Sequence, residues 1–215
     1  MTHGKSNGTN LVVFDHPLIR HKLTWAREKS TSFRAFRALL SQIAGLMVYE
    51  VTRSFETEDV EIETPMQRTR GWRVATPITV VPVLRAGLGM MSGILEVMPE
   101  ARVGHLGLAR DEETLEPKAY LNKLPKELDA GPVILVDPML ATGGSASAAV
   151  KMLRDAGARD LRMICLVASP EGVARMREDH PDVTVYTAGL DECLNEQGYI
   201  LPGLGDAGDR LFGTT

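Results

Sequence analysis

The sequence predicts an α/β fold, a mostly parallel central sheet flanked by helices. Two observations carry this. From Ile78 onward, short β-branched runs alternate with helical stretches, and in such an alternation each helix returns the chain so that the next strand lies parallel to the last. Glycine or proline stands where several of those strands hand over to helices. The length agrees: 215 residues, 44 % hydrophobic and 24 % charged, suffice for one buried core with an extension and leave little room for two independent domains and a linker.

The elements follow in order. The first ten residues are polar and predicted loose. Leu11 to Ser32 mixes apolar and basic residues, and between Arg20 and Arg37 six Lys/Arg stand against the single acid Glu28. That segment reads either as a solvated basic face or as an anion or effector contact. Phe33 to Thr52 reads as an amphipathic helix, because Phe33, Phe36, Leu40, Ile43, Met47 and Val51 recur at three- and four-residue intervals. Val60-Glu61-Ile62-Glu63 alternates like a half-exposed strand, with Trp72 to Ala75 as its partner. Ile78 to Leu84 is a buried strand, Leu88 to Val97 a helix, Arg102 to Leu108 a strand. Pro132 to Val136 is the next strand, followed by a helix from Ser145 to Ala156 with Gly157 as its terminating glycine. Leu161 to Ala168 is a strand, Pro170 to His180 a helix with proline in its first turn, and Val183 to Thr187 a last strand.

Composition excludes several classes. No apolar run reaches the roughly 18 residues of a membrane helix, and MTHGKSNGTN has no apolar signal core. Cys165 and Cys193 form no CxxC pattern, so a reduced, cytoplasmic protein without membrane association is expected. A net charge of -4 argues against a broad nucleic-acid surface.

In open parallel sheets ligands bind beyond the carboxyl ends of strands, so the strand-to-helix turns are where chemistry is expected. The strongest is VILVDPMLATGGSASA, Val133 to Ala148. A hydrophobic strand ends on Asp137, and Thr142-Gly143-Gly144-Ser145 opens a helix. Unpaired N–H groups and the positive dipole end of a helix start, with hydroxyls beside them, make a phosphate cradle. Asp137 could face sugar hydroxyls or a hydrated Mg²⁺, or serve as a capping carboxylate. No lysine follows the glycines, which excludes a Walker A loop. Gly203 to Gly208 spells G-x-G-x-x-G, but the chain ends seven residues later, leaving no room for a dinucleotide unit.

VDPMLATGGSA closely resembles the 5-phosphoribosyl 1-diphosphate (PRPP) signature of phosphoribosyltransferases, in the form of the uracil phosphoribosyltransferase family. Further matching strings, in order, are HKLT (His21–Thr24), VEIETP (Val60–Pro65), PVLRAGLGM (Pro82–Met90), VGHLGLARDEETLEP (Val103–Pro117), KLP (Lys123–Pro125), ASPEGV (Ala168–Val173), LDE (Leu190–Glu192) and LNEQGYILPGLGDAGDRLFGT (Leu194–Thr214). Many relatives carry two adjacent acids at the strand end; here Pro138 takes the second place, as in the uracil enzymes.

The resemblance implies a phosphoribosyltransferase-type sheet in one domain, residues 1–215, with an N-terminal helical region over about 11–55 and a base-binding hood over about 188–210. It implies transfer of the phosphoribosyl group of PRPP to uracil, giving UMP and diphosphate, with Mg²⁺ held mainly by PRPP rather than by protein ligands. The 5-phosphate loop maps onto Ala141, Thr142, Gly143, Gly144 and Ser145, preceded by Asp137 facing the ribose and by Pro138, Met139 and Leu140. Arg85 and Arg110 map onto pyrophosphate contacts, Arg85 within Leu84-Arg85-Ala86-Gly87, a strand-end turn in which Gly87 gives the ligand access to the backbone. Ile200, Gly205 and Ala207 map onto main-chain uracil contacts, and Asp206 onto the ribose side, where it is the candidate to help N1 lose its proton. A homodimer or higher oligomer and a GTP effector are further implications, the latter near Arg20 to Arg37. Two alternatives stay open: a phosphoribosyltransferase for another base, against which the hood string argues, and an RNA-binding regulator on the same fold, against which the net charge argues.

Overall fold

The computed structural model describes residues 10–110 and 117–214. In chain order the elements are β1 Leu11–Val13, α1 Pro17–Arg27, α2 Phe33–Val51, β2 Thr57–Glu63, β3 Arg68–Val74, β4 Thr79–Leu84, α3 Leu88–Val97, β5 Arg102–Val103, β6 His105–Arg110, β7 Pro117–Lys123, β8 Val133–Val136, β9 Met139–Leu140, α4 Gly144–Asp155, β10 Leu161–Ala168, α5 Pro170–Asp179, β11 Thr184–Leu190, β12 Cys193–Leu194, β13 Ile200–Leu201 and α6 Ala207–Phe212.

The sheet runs β1-β11-β10-β8-β4-β6-β7, with β5 beside the start of β4 and β9 beside the end of β10. Its pairings are parallel except β6–β7, which is antiparallel. Successive residues of a strand point to opposite faces, and β8 shows the consequence: all four of its residues are buried. Ile134 and Val136 pack with Phe36, Leu40, Ile43, Met47, Met90 and Ile94 of α2 and α3, while Val133 and Leu135 pack with Ala149, Val150 and Leu153 of α4 and Met176 of α5. Two helical layers therefore cover one sheet.

The local signals explain the helices. Ser32 accepts from the Ala35 N–H at the start of α2, and the predicted apolar stripe of that helix is buried from Phe36 to Val51, whereas Phe33, in its first turn, is exposed. Helix α3 packs closely on it: a Cβ on Gly93 would stand 1.8 Å from the Ser41 carbonyl oxygen. Gly157, at φ +100°, ends α4 as expected.

The structure departs from the sequence reading at the edges. The N-terminal region is not wholly helical, since Leu11 to Val13 form an edge strand on β11. The predicted strand Arg102 to Leu108 is two strands, both beside β4. The antiparallel strand β7 has no counterpart in the prediction. β2 and β3 pair with each other and form their own two-stranded sheet, but the register is shifted from the expected one, with Val60 to Glu63 opposite Arg68 to Gly71 and Trp72 to Val74 opposite Thr57 to Asp59; Trp72 is 73 % and Met66 90 % exposed. Both cysteines are free thiols, Cys165 buried and Cys193 exposed. No described helix is long and apolar enough to cross a membrane.

Candidate active site

At the carboxyl ends of β4 and β8 the chain encloses a cavity of about 360 Å³. Three separated segments and one residue of β6, Leu108, form its wall: Val83 to Ala86 at the end of β4, the Asp137 to Ala146 turn after β8, and Asp206 to Gly208 at the start of α6. The turns singled out in the sequence therefore meet in one place.

The β8–α4 turn is built to hold still. Gly143 caps α4 at φ +79°, a conformation that favours glycine, and a Cβ there would stand 2.8 Å from Cβ of Arg175. From behind, the turn rests on the start of α5. The Ser169 N–H donates to the Leu140 carbonyl at 2.9 Å, and the Ser169 hydroxyl donates to the Ala141 carbonyl at 2.6 Å while accepting from the Gly172 N–H at 2.9 Å. A Cβ on Gly172 would stand 2.4 Å from the Ala141 oxygen. The twelve-residue helix α4 thus presents its amide-rich, positive end to the cavity, flanked by Thr142 and Ser145.

Asp137 stands where β8 ends. Its carboxylate is partly open to the cavity and otherwise walled by protein, and its Oδ1 accepts a 3.3 Å bond from the Met139 N–H. Burial pushes its pKa up to about 7, opposed only in part by that amide. The carboxylate keeps lone pairs free to accept from hydroxyls or a hydrated cation.

Arg85 rises from the end of β4. Its side chain is 56 % exposed, with Nη2 3.7 Å from Oδ1 of Asp209 and the guanidinium 5.7 Å over the Phe212 ring. The sequence reading gives Gly87 the task of opening the backbone to a ligand. The structure assigns it another one: a Cβ at Gly87 would meet the Val136 oxygen at 2.6 Å and the Val83 oxygen at 2.7 Å. Gly87 lets the turn lie tightly against β8 and does not line the cavity.

Asp206 caps α6, its Oδ1 accepting from the Asp209 N–H at 2.9 Å, and it lines the cavity together with Ala207. Of the predicted site residues, Arg85, Asp137, Met139, Leu140, Ala141, Thr142, Gly143, Ser145, Asp206 and Ala207 come together in the wall. Pro138 and Gly144 lie in the same turn behind it. Ile200, 3 % exposed, pairs with Leu194, and Gly205 (φ +78°) precedes Asp206; neither belongs to the wall. Arg110 ends β6 opposite Pro117, but its side chain, like all of residues 111–116, lies outside the described part.

Within the basic N-terminal segment, Arg27 is engaged by Asp191, Lys22 donates to Gln42 at 2.7 Å, and Arg37 lies 5.0 Å over the Phe33 ring. Sequence reasoning assigns no role to Ser169, Gly172, Asp191 or Arg210, and counts Arg27 only within the basic segment. For the first two a signal existed: Ser-Pro-Glu-Gly straight after a strand is a helix-start signature, which places that start beside the turn after the neighbouring strand.

The chain is similar to known proteins over nearly its whole length. The family model described as uracil phosphoribosyltransferase matches residues 12–214. A uracil phosphoribosyltransferase of Finegoldia magna is 56 % identical over 207 residues, covering 96 % of this chain and 99 % of its own. One from Ligilactobacillus salivarius is 58 % identical over 203 residues, covering 94 % and 97 %. A solved protein structure from Aquifex aeolicus superposes with a TM-score of 0.91 at 39 % identity, covering 95 % of this chain and 99 % of that one. A hypoxanthine phosphoribosyltransferase from Staphylococcus aureus, at 11 % identity and a TM-score of 0.51 over 72 % of this chain and 74 % of its own, shares the fold alone.

Proposed function

Because the chain belongs to the uracil phosphoribosyltransferase family, we infer that it joins N1 of uracil to C1 of PRPP, forming UMP and releasing diphosphate, a step of pyrimidine salvage. The observation that carries this reading for the site is the convergence of a helix-start loop, Arg85, Asp137 and the hood on one cavity.

The 5-phosphate is assigned to the Ala141–Ser145 loop, whose backbone amides and hydroxyls suit three anionic oxygens. The ribose hydroxyls are assigned to Asp137 and the departing diphosphate to Arg85, whose planar fork suits paired phosphate oxygens. Arg110 is assigned as a second diphosphate contact. Uracil is assigned to the hood main chain at Ile200, Gly205 and Ala207. Uracil presents acceptor, donor, acceptor across O2, N3–H and O4. Cytosine would set a donor against the N–H that meets O4, and each buried group left unpaired costs about 1–3 kcal/mol.

Catalysis on this reading is positioning plus stabilisation of charge that develops on the leaving diphosphate as C1 gains cationic character. Asp137, with free acceptor capacity in the cavity, is the protein group placed to meet a hydrated Mg²⁺ held mainly by PRPP; the ion would supply further charge neutralisation. Asp206 is assigned the N1 proton. Asparagine caps helices as well as aspartate, so Asp206→Asn should keep α6 while lowering kcat at least about tenfold with an altered pH profile. Near-wild-type turnover with the same profile would remove that role.

A homo-oligomer is proposed from the exposed hairpin β2–β3, whose Trp72, Ile62 and Val74 are exposed apolar surface. Three further proposals carry over from the sequence reading: one domain spanning residues 1–215, a GTP effector near Arg20 to Arg37, and a cytoplasmic location, in keeping with the free thiols.

The deciding experiment assays uracil, cytosine and hypoxanthine side by side with PRPP and Mg²⁺. UMP formation with at least a hundredfold preference for uracil is expected. A comparable rate with either other base would overturn the base assignment.

A further inference from the structure

We propose that Arg27, Asp191 and Arg210 are positioning residues for the base: a clamp behind the hood that fixes the peptide groups of Gly203 and Leu204 and so sets the main chain that meets uracil. The proposal rests on the reading of the hood as the uracil site.

The hood needs such a device. Beyond the end of β11, its strand pairing is that of the two-residue strands β12 and β13, and residues 203–206 belong to no helix or strand. Backbone that lacks a ladder must find other partners or remain loose. Here the partners are three charged side chains. The Gly203 N–H donates to Oδ2 of Asp191 at 2.9 Å, and the Gly203 carbonyl accepts from Nη1 of Arg27 at 2.7 Å. Arg27 and Asp191 are themselves joined by two hydrogen bonds, Nη1 to Oδ2 at 2.8 Å and Nη2 to Oδ1, a fork-to-fork pairing that fixes orientation as well as distance. Both polar groups of Gly203 are therefore gripped by a single ion pair.

The next peptide is held by Arg210. Its Nη1 donates to the Leu204 carbonyl at 2.7 Å and to the Ala26 carbonyl at 2.6 Å, and its Nη2 donates to the Glu28 carbonyl at 2.9 Å. The guanidinium lies 4.1 Å from the centre of the Phe36 ring, which is fully buried. Arg27 ends α1, and Asp191 follows β11, tied by its N–H to the Ala168 carbonyl at 2.8 Å. The clamp thus refers the hood to the N-terminal helix and the sheet at once.

None of the three side chains lines the cavity, so they touch no reacting group. The Asp191 side chain is only 4 % exposed. Buried ion pairs contribute little net stability compared with apolar residues of the same volume, so packing alone does not account for charges here; gripping main-chain donors and acceptors does. The 5-phosphate loop hangs on α4 and α5 instead. Loosening the clamp should therefore weaken uracil binding selectively, since misplacement by about 1 Å is enough to cost a site much of its rate.

Arg27→Lys and Arg210→Lys keep stem and charge but lose the fork. Each is expected to raise KM for uracil at least tenfold, to leave KM for PRPP within about twofold, and to speed amide hydrogen exchange in residues 199–207 of the free protein. The wild type supplies the separate check: UMP should protect those same amides. If UMP protects them and both variants fold yet keep the wild-type uracil KM, or raise both KM values alike, the clamp is overturned while the base-site reading stands. If UMP gives the wild-type hood no protection, the base-site reading falls and the clamp falls with it.

Discussion

Arg85→Ala is expected to lower kcat/KM for PRPP by about a hundred- to a thousandfold while moving the melting temperature of the free protein by less than about 2 °C. The two halves of this expectation have different causes. In the free protein Arg85 is more than half exposed, and its contact with Asp209 is a 3.7 Å ion pair near solvent; such pairs contribute about 0–1 kcal/mol. The Phe212 ring 5.7 Å away adds a contact of similar size. Little is lost when the side chain goes. With diphosphate in the cavity the same guanidinium would sit in a narrowed, drier space against developing negative charge. Removing one such preorganised donor typically costs about 3–4 kcal/mol of transition-state stabilisation. Arg85→Lys should recover only part of the activity, because an ammonium cannot bridge two phosphate oxygens in one plane. Steady-state kinetics at varied PRPP, with thermal melts of the same samples, test both halves. Unaltered PRPP kinetics in Arg85→Ala would remove the diphosphate assignment.

What the sequence made legible was what is local. The α2 stripe is a 3.6-residue pattern within one helix, and the buried strands announce themselves as β-branched runs. The β8–α4 turn was readable because a strand end, an acid and a Gly-Gly helix start occur within twelve residues, Val133 to Gly144. Elements defined by partners far along the chain were not. β1 is three residues whose identity as a strand depends on β11. In α1, Ile19, Leu23 and Ala26 do form a buried face, but the basic residues between them dominate the composition. β7 is an edge strand set by β6. Gly87 was found for the wrong reason, because the backbone it must pass is that of β8, nearly fifty residues away. The hood clamp joins Arg27 to Asp191 across 164 positions, and no spacing rule reaches that far.

Asp137→Asn is expected to move activity and stability in opposite directions. The wild-type carboxyl titrates near 7 because the protein walls it off from water on most sides, whereas in the unfolded chain it titrates near about 3.9. Between those two values the folded protein binds more protons than the unfolded one, so this group makes stability fall as pH rises through that window and leaves it lowered above about 7. Asparagine has no charge to bury and keeps an oxygen for the Met139 N–H. The free variant should therefore melt a few degrees above wild type at pH 8 and nearly together with it at pH 4, where the folded carboxyl is protonated and the unfolded one about half so. Activity should drop at least about a hundredfold, since the variant loses the anionic acceptor assigned to the ribose hydroxyls and the hydrated Mg²⁺. Binding of PRPP with Mg²⁺ to the wild type must draw the carboxyl into its charged form, so this group should weaken affinity as pH falls below about 7, by up to tenfold per unit, and the variant should lose that part of the slope and keep only what the ligand's own phosphates contribute. Melts at the two pH values and calorimetric titration across pH 5–8 separate the readings. A carboxylate that served the fold would cost stability on removal and leave the pH slope of binding intact; a carboxylate held in readiness for ligand does the reverse. Equal melting shifts at pH 4 and pH 8, or an unchanged slope, would assign Asp137 to the fold.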